Sequence, residues 1–267
     1  MTILHPDLPF APWIKPAGQR LPGVMPLDRA DWLTCDTVYA EQMAERTALL
    51  AARPDDVLAT LPQAEPAARE LLDEVVKELP ALGFAVSADS VLRPDGVTIK
   101  LDKSRPLWTL GHLLQADFCL LQKPASAAEH VLTGAVLCFP SSWTLPEKIG
   151  KPLMRIHLPV DSYDSQMGAR VQRLFDAIRP EQPLWRANVL RYTNPALYQP
   201  RPEFAPKDKR DGGAYIRSEK QCLVKLPKTG AVVFSIHTVV VRRDSLTSDQ
   251  RAALEQIERS AQAVPRG

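Results

Sequence analysis

The chain has 267 residues, of which 45% are hydrophobic and 24% charged, with a formal net charge of +2. This is the composition of a globular protein with one large or two small domains, and its dispersed basic residues do not indicate a nucleic-acid partner. No signal-peptide pattern, membrane-length apolar run or C-x-x-C motif is present, so we expect a cytoplasmic protein with no membrane contact and no iron–sulfur or structural zinc centre of its own.

The first 80 residues predict a lead-in followed by a helical cap. Residues 1–35 are rich in proline and aromatic side chains and favour irregular structure. Residues 39–54 carry Met43 and Leu49, and residues 65–82 carry Leu71 and Val75, all at helical spacing. We therefore assign residues 1–80 to an N-terminal unit of two amphipathic helices behind an irregular arm.

From residue 81 to residue 267 the pattern changes to extended runs with two further helices. The strand-like runs are "ADFCLLQKP", "HVLTGAVLCFP", "PLWRANVLRYT", "YIRSEKQCLVKLP" and "GAVVFSIHTVVVRR", and the helical ones are "QMGARVQRLFDAIRP" and "TSDQRAALEQIERSAQA". Pro94-Asp95-Gly96 is a turn signal, and Thr247 is the expected N-cap of the last helix. Helices first, then a mainly antiparallel sheet with inserted helices, predict the α+β class. We expect residues 1–80 and 81–267 to form one compact unit.

Polar side chains alternate along two of these strands. Arg217, Glu219 and Gln221 are two residues apart, as are Arg186 and Asn188, so each set projects from one face of a strand. The simplest interpretation is a solvated face with an Arg–Glu pair. The alternative is a polar patch inside a concave sheet that binds a charged or hydrogen-bonding ligand.

The chain has five histidines, and their spacing forms no zinc or non-haem iron triad. We expect His5, in a loose N-terminus, and His130, at the start of a strand, to be structural or exposed, and His112 to be a surface residue of a helix. His237 lies mid-strand and should be buried, and His157 follows a proline-rich stretch in "MRIHLPV". Each of these two is either a satisfied core histidine, which is the commoner case, or a ligand, and one axial histidine is enough to hold haem.

Four longer stretches carry a family resemblance. They are "MPLDRADWLTCDTVYAEQMAERTALLAARPDDVLATLP", "GAVLCFPSSWTLPEKIGKPLMRIHLPV", "RVQRLFDAIRPEQPLWRANVL" and "YIRSEKQCLVKLPKTGAVVFSIHTVVV". In these stretches, and in their order, the chain resembles the haem-dependent oxidative N-demethylase alpha-subunit family. The resemblance implies a PAS-like fold, in which a curved antiparallel sheet with flanking helices binds haem b.

The resemblance also implies an activity. A haem-dependent monooxygenase of this kind removes a methyl group oxidatively from a small secondary amine such as dimethylamine, uses O2 and yields formaldehyde. Electrons come from NADPH through the FMN and 2Fe-2S centres of separate reductase subunits. The absence of a glycine-rich nucleotide loop and of a cysteine cluster from the chain agrees with such a partner.

Site residues follow from the same resemblance. His157 is expected to be the axial haem ligand, with His237 as the alternative. Glu219 is expected to accept the hydrogen bond of the alkylammonium group, and Arg217 and Gln221 to orient it or to bind haem propionates. Arg186 and Asn188 are assigned to cofactor binding. Two rival functions remain open: a PAS-type haem or small-ligand sensor without catalysis, for which no output domain is seen, and a scaffold that has lost haem.

Overall fold

A computed structural model describes residues 2–15, 23–159, 163–206 and 213–262 of the chain. Within these ranges the α-helices are α1 (Tyr39–Ala52), α2 (Pro54–Val57), α3 (Glu65–Glu78), α4 (Pro106–Leu113), α5 (Leu145–Lys148), α6 (Leu153–Ile156), α7 (Ser165–Ala177) and α8 (Ser248–Gln262). The strands are β1 (Met25–Pro26), β2 (Leu58–Thr60), β3 (Ala85–Val86), β4 (Ser90–Leu92), β5 (Thr98–Lys100), β6 (Asp117–Gln122), β7 (Val131–Val136), β8 (Leu184–Ala187), β9 (Leu190–Tyr192), β10 (Tyr215–Lys225) and β11 (Val232–Arg242). None of these helices combines the length and apolarity that a membrane crossing requires.

The main sheet has the strand order β1-β8-β10-β11-β6-β7-β2, with β9 also paired to β10. All of its described pairings are antiparallel, which confirms the predicted α+β class. The long β10–β11 hairpin forms the centre, and β11 lies between β10 and β6 although it comes last in the chain. Helices α5, α6 and α7 are inserted between β7 and β8.

A smaller sheet, β3-β4-β5, is inserted in the chain between β2 and β6 of the main sheet. Its strands β4 and β5 are joined at the predicted Pro94-Asp95-Gly96 turn. Gly96 has a φ of 84°, which an L-residue rarely adopts, and its N–H donates to the carbonyl of Arg93 at 3.0 Å. The turn signal in the sequence therefore corresponds to a real reversal.

The two faces of the main sheet are covered by different helices. Antiparallel register places Gln221 opposite Ile236 and Lys220 opposite His237, so alternate residues of β10 point to opposite sides. We name the side with Leu223 and Ile236 the crossover face, because both residues pack with α5, α6 and α7 in one hydrophobic cluster. The other side, where Val224 and Val233 pack with α1, α3 and α4, is the cap face.

A buried ion pair ties the N-terminal helices to the sheet. The Arg46 guanidinium of α1 lies 2.6 Å from Oδ1 of Asp117, and both side chains are fully buried. The Asp117 carboxylate also accepts the backbone N–H groups of Cys138 at 2.7 Å and Phe139 at 2.9 Å. Charge-assisted bonds of this kind fix the point at which the chain leaves β7.

Candidate functional site

Residues 140–157, here named the bracket, run from the end of the β7 segment through α5 and α6 to His157. Pro140 and Ser142 pair with one residue of a distant loop: the N–H of Gln199 donates to Pro140 O at 3.2 Å, and that of Ser142 donates to Gln199 O at 2.9 Å. Ser142 has a φ of 64°, in the left-handed region. The Ser141 hydroxyl lies 2.7 Å from the hydroxyl of Tyr192. The start of the bracket is thus held by two separate parts of the chain.

The far end of the bracket is held by a three-residue ion cluster. Both oxygens of Glu203 accept from the Arg155 guanidinium, at 2.9 and 2.8 Å, and the buried Lys148 ammonium bonds the same carboxylate. The Lys148 ammonium also donates to Ile156 O at 2.6 Å. The bonds from Arg155 and Lys148 lower the pKa of Glu203 to about 2, so the cluster stays charged at neutral pH.

His157 caps the C-terminal end of α6 with its imidazole in a defined state. Nδ1 lies 2.9 Å from the carbonyl oxygen of Leu153. A carbonyl only accepts, so Nδ1 carries the proton and Nε2 keeps its lone pair, which has no hydrogen-bond partner in the described part of the chain. The half-buried ring stacks on Tyr163, with centroids 4.1 Å apart and planes at 14°, and burial lowers the pKa of His157. A neutral imidazole tethered through Nδ1 is the form that ligates metals.

Two other histidines are structural. His112 makes the same local bond, from Nδ1 to Trp108 O at 2.9 Å, but it is 8% exposed and its ring packs on Trp108 at 4.0 Å. His130 is also buried and lies 2.9 Å from the Gln172 amide. Of the two alternatives for His130, these contacts fit the structural one. The surface position expected for His112 is wrong, because its ring is buried against Trp108.

Arg217 stands at the centre of a buried polar network on the crossover face. Its side chain is fully buried, and Nε donates to Oε1 of Glu219 at 3.0 Å. Nη1 donates to Leu197 O at 2.9 Å and Nη2 to Phe139 O at 2.6 Å. The guanidinium therefore joins β10 to the residue that precedes the bracket.

Glu219 connects Arg217 to the remaining polar residues that the strand pattern singled out. Its Oε2 accepts from the Asn188 amide at 2.9 Å and from the Gln221 amide at 3.0 Å. Gln221 Oε1 in turn accepts from Arg186 Nη1 at 3.1 Å. The structure thus brings all five residues into one connected patch, in which both Glu219 oxygens already have protein partners. Nε of Arg186 is buried without a partner in the described residues, and burial lowers the pKa of Arg186.

The cap face carries a second polar cluster, around His237. Oδ2 of Asp36 lies 2.8 Å from Nε2 of His237 and 2.8 Å from Nε2 of His5. Burial alone would raise the pKa of Asp36, but the bonds from His237 and His5 outweigh it and hold the pKa well below its usual range. His5 is 5% exposed, so the expectation that the N-terminal arm is loose there is wrong: its N–H donates to Val240 O at 2.8 Å.

The two candidate haem ligands lie on opposite sides of the sheet. Leu153 and Ile156 of the bracket pack in the crossover-face cluster with Leu223, which places His157 on the side of Glu219. His237 points to the cap face. The sequence missed Asp36 and His5 as partners of His237, because no local pattern links residues 5, 36 and 237.

The surroundings of His157 are partly open and apolar. Leu158, next in the chain, is 61% exposed, and Phe204, next to the Glu203 anchor, is 77% exposed. A cavity of about 210 Å³ is lined in part by Pro140, Leu145 and Tyr198, and neither His157 nor His237 is in its wall. These features fit a flat apolar cofactor with acidic side groups, such as haem. The cofactor would meet the free Nε2 of His157, the exposed apolar neighbours, and Arg186 of the same sheet face.

Comparison with known proteins gives one family. The family model described as haem-dependent oxidative N-demethylase, alpha subunit-like, matches residues 23–264. No curated protein matches the chain.

Proposed function

The chain belongs to the haem-dependent oxidative N-demethylase alpha subunit-like family, and from this premise we propose that it is a haem-binding subunit that demethylates a small secondary amine. The observation that carries the proposal is the state of His157: an Nδ1 proton held by Leu153, a free Nε2, and a position on the same sheet face as Glu219. These three features of His157 come together only in the folded chain, and none of them is recognisable as a sequence motif.

We also propose the PAS-like form of the fold. The support is the antiparallel unit β8-β10-β11-β6-β7, with three helices inserted between β7 and β8 that cover one face. This agrees with the curved sheet and flanking helices that the resemblance implies. In such an arrangement the ligand lies between the sheet and the inserted helices, which is the side of His157.

His157 is the proposed axial ligand of haem b. The Leu153 carbonyl keeps the proton on Nδ1, and Tyr163 restricts the ring by stacking, so the chain presents Nε2 with little freedom to rotate. The orphaned Nε of Arg186 is the proposed donor to a haem propionate, with Asn188 beside it. When bound, the haem supplies the redox-active iron at which O2 and electrons are consumed.

Glu219 is the proposed binding group for the amine. A dialkylamine is cationic at neutral pH, and a carboxylate binds such a cation with a charge-assisted hydrogen bond. Oε1 of Glu219 accepts one bond, from Arg217, and so keeps acceptor capacity for a ligand. Arg217 and Gln221 fix the orientation of the carboxylate. In the overall reaction the secondary amine, O2, two electrons and two protons give a primary amine, formaldehyde and water.

The electrons are proposed to come from a partner. The sequence contains no glycine-rich nucleotide loop, and the four cysteines are free and do not group with one another. NADPH, FMN and a 2Fe-2S cluster are therefore assigned to separate reductase subunits, as the alpha-subunit character of the family implies.

A haem or small-ligand sensor is the second candidate, and one observation favours it. Both oxygens of Glu219 are already bonded inside the protein, so a cationic substrate must share the carboxylate with Arg217. A binding protein without catalysis would not need a free carboxylate.

The test is haem reconstitution followed by turnover. The full chain is titrated with haemin, and the Soret band is expected to saturate at about one haem per chain. Addition of dimethylamine and a chemical electron donor under air is then expected to release formaldehyde. A Soret band without formaldehyde supports the sensor, and a chain that takes up no haem supports the scaffold.

A further inference from the structure

The cluster of His5, Asp36 and His237 on the cap face has no role in the proposed demethylation. Its members come from the N-terminal arm, the segment before α1 and the middle of β11. Their side chains are 3%, 14% and 5% exposed. One donor atom from each lies within 4.8 Å of the other two. Two imidazoles and one carboxylate thus converge on one nearly buried point.

The carboxylate is oriented toward this point by a second set of contacts. Oδ1 of Asp36 accepts from the Gln115 amide at 2.7 Å and from the Val38 N–H at 3.1 Å. Gln115 is itself held by Gln42 at 3.0 Å. Oδ2 is therefore left for the two histidines. Support of this kind behind a ligating carboxylate is typical of metal sites.

The two histidines of the cluster differ in what their Nδ1 atoms meet. If both Nε2 atoms donate to Oδ2, each Nδ1 keeps a lone pair. His5 Nδ1 then accepts the Val240 N–H at 3.3 Å. His237 Nδ1 is buried without any partner in the described residues, and an unpaired buried polar atom is destabilising.

We propose that His5, Asp36 and His237 form a binding site for a divalent transition-metal ion, of which zinc is the best match. Two imidazole nitrogens and a carboxylate oxygen are a known three-residue ligand set for zinc, whose fourth position is taken by water or another small ligand. Metal binding through Nε2 moves each proton to Nδ1. The His5 Nδ1 proton then faces Val240 O at 3.4 Å, the kind of carbonyl partner that ligating histidines use, whereas the His237 Nδ1 proton has no partner in the described residues. The convergence of the three donor atoms is therefore what supports the site.

The cation paired with His237 across the hairpin is engaged by other groups. Lys220 is directly opposite His237 in the β10–β11 register, but its ammonium bonds the Asp31 carbonyl and approaches the Trp185 ring at 5.9 Å. A bound ion would join residue 5, residue 36 and β11, and so fasten the N-terminal arm to the sheet. The site is independent of haem, because it lies on the other face.

The test uses the full chain after chelator treatment. Zn²⁺ is titrated in competition with a chromogenic chelator, and Co²⁺ is used as a spectroscopic probe. We expect one Zn²⁺ per chain and Co²⁺ absorption bands of a nitrogen- and oxygen-ligated site. His5→Gln and His237→Gln keep a donor toward Asp36 but lack the imidazole, and each is expected to weaken Zn²⁺ binding at least 100-fold. His130→Gln alters a buried histidine outside the cluster and is the matched control.

The Soret band separates this site from the proposed haem site. His5→Gln should leave haem uptake unchanged while zinc binding is lost, whatever the outcome of the demethylation test. The proposal is overturned if the folded wild-type chain binds no stoichiometric Zn²⁺, or if both glutamine variants bind it as tightly as His130→Gln does.

Discussion

A mostly buried carboxylate lies on each face of the β10–β11 hairpin, but the two carboxylates have different partners. On the crossover face Glu219 meets Arg217, whose charge is permanent, and the amides of Asn188 and Gln221. On the cap face Asp36 meets two imidazoles, which can lose a proton or bind a metal. The role of each carboxylate thus depends on its partners: an arginine keeps its charge and its bond, whereas an imidazole can bind a metal ion instead. The first network holds a fixed charge on the sheet face where His157 also lies, and the second is suited to an ion.

The largest expected difference between the two faces follows from replacing their histidines. His157→Ala removes the proposed axial ligand, and we expect haem affinity to fall by more than about 100-fold, beyond the effect of losing an outer-shell partner. His237→Ala lies on the other face and should keep the Soret band. Haem titration of both variants, with far-UV circular dichroism as the folding control, measures the difference. Haem loss in His237→Ala alone would reverse the assignment of the faces.

The next largest effect, on the free energy of unfolding, is expected from the buried Arg46–Asp117 ion pair. Asp117→Asn leaves Arg46 buried without its counter-charge, and removing one partner of a fully buried pair costs about 3–5 kcal/mol of unfolding free energy. Denaturant unfolding at neutral pH gives this value. Asp73→Asn, which breaks a salt bridge between side chains that are 64% and 45% exposed, is the control and should cost less than about 1 kcal/mol. Equal losses in the two variants would contradict the proposed weight of the buried pair.

A smaller effect is expected when the crossover-face carboxylate alone is neutralised. Glu219→Gln keeps the shape of the side chain but removes the charge that is proposed to bind the amine. We expect dimethylamine affinity to fall about tenfold, or about 1.4 kcal/mol, with a nearly unchanged haem spectrum. Glu203→Gln, which neutralises the carboxylate that bonds Lys148 and Arg155 of the bracket and lies outside the patch, is the control. Unaltered amine affinity in Glu219→Gln would leave Glu219 a structural partner of Arg217.

The smallest effect concerns pH and the anchoring of the bracket. Arg155 is 40% exposed, so solvent screens its bond to Glu203 and the bond should stabilise the fold only slightly. The pKa of Glu203 is lowered to about 2 in the folded chain, so the stabilisation is complete above about pH 4.5 and is lost as pH falls toward about 2. The melting temperatures of wild type and Arg155→Ala should therefore differ at pH 6 and converge in acid. A difference in melting temperature that grows as the pH falls would contradict the assigned role of this ion pair.

The sequence predicts the parts of the molecule that local patterns determine. Periodicity indicates the helices Tyr39–Ala52 and Glu65–Glu78 and the strands Tyr215–Lys225 and Val232–Arg242, and alternation places Arg217, Glu219 and Gln221 on one face. Thr247 was expected to cap the last helix, and its hydroxyl accepts the Gln250 N–H at 3.2 Å. These features depend on neighbours within a few residues.

Long-range contacts could not be predicted in the same way. The pairing of Ser142 with Gln199 and the meeting of His5 with Asp36 depend on strand order, which a single sequence does not encode in any short pattern. The tautomer of His157 depends on a carbonyl four residues earlier, and this bond forms only because α6 is helical. The separation of His157 from His237 required the β10–β11 register.

The central position of β11 has a consequence for how the protein is made. Because the last strand is inserted between β10 and β6, the sheet cannot close while residues 232–242 are still unsynthesised. The bracket and His157 emerge from the ribosome well before β10 and β11, the strands on which the bracket packs. Non-local strand pairing of this kind is slow and leaves apolar edges open to chaperones or to aggregation. Cofactor loading is accordingly expected after translation, on a finished chain, and a nascent polypeptide stalled before β11 should bind none.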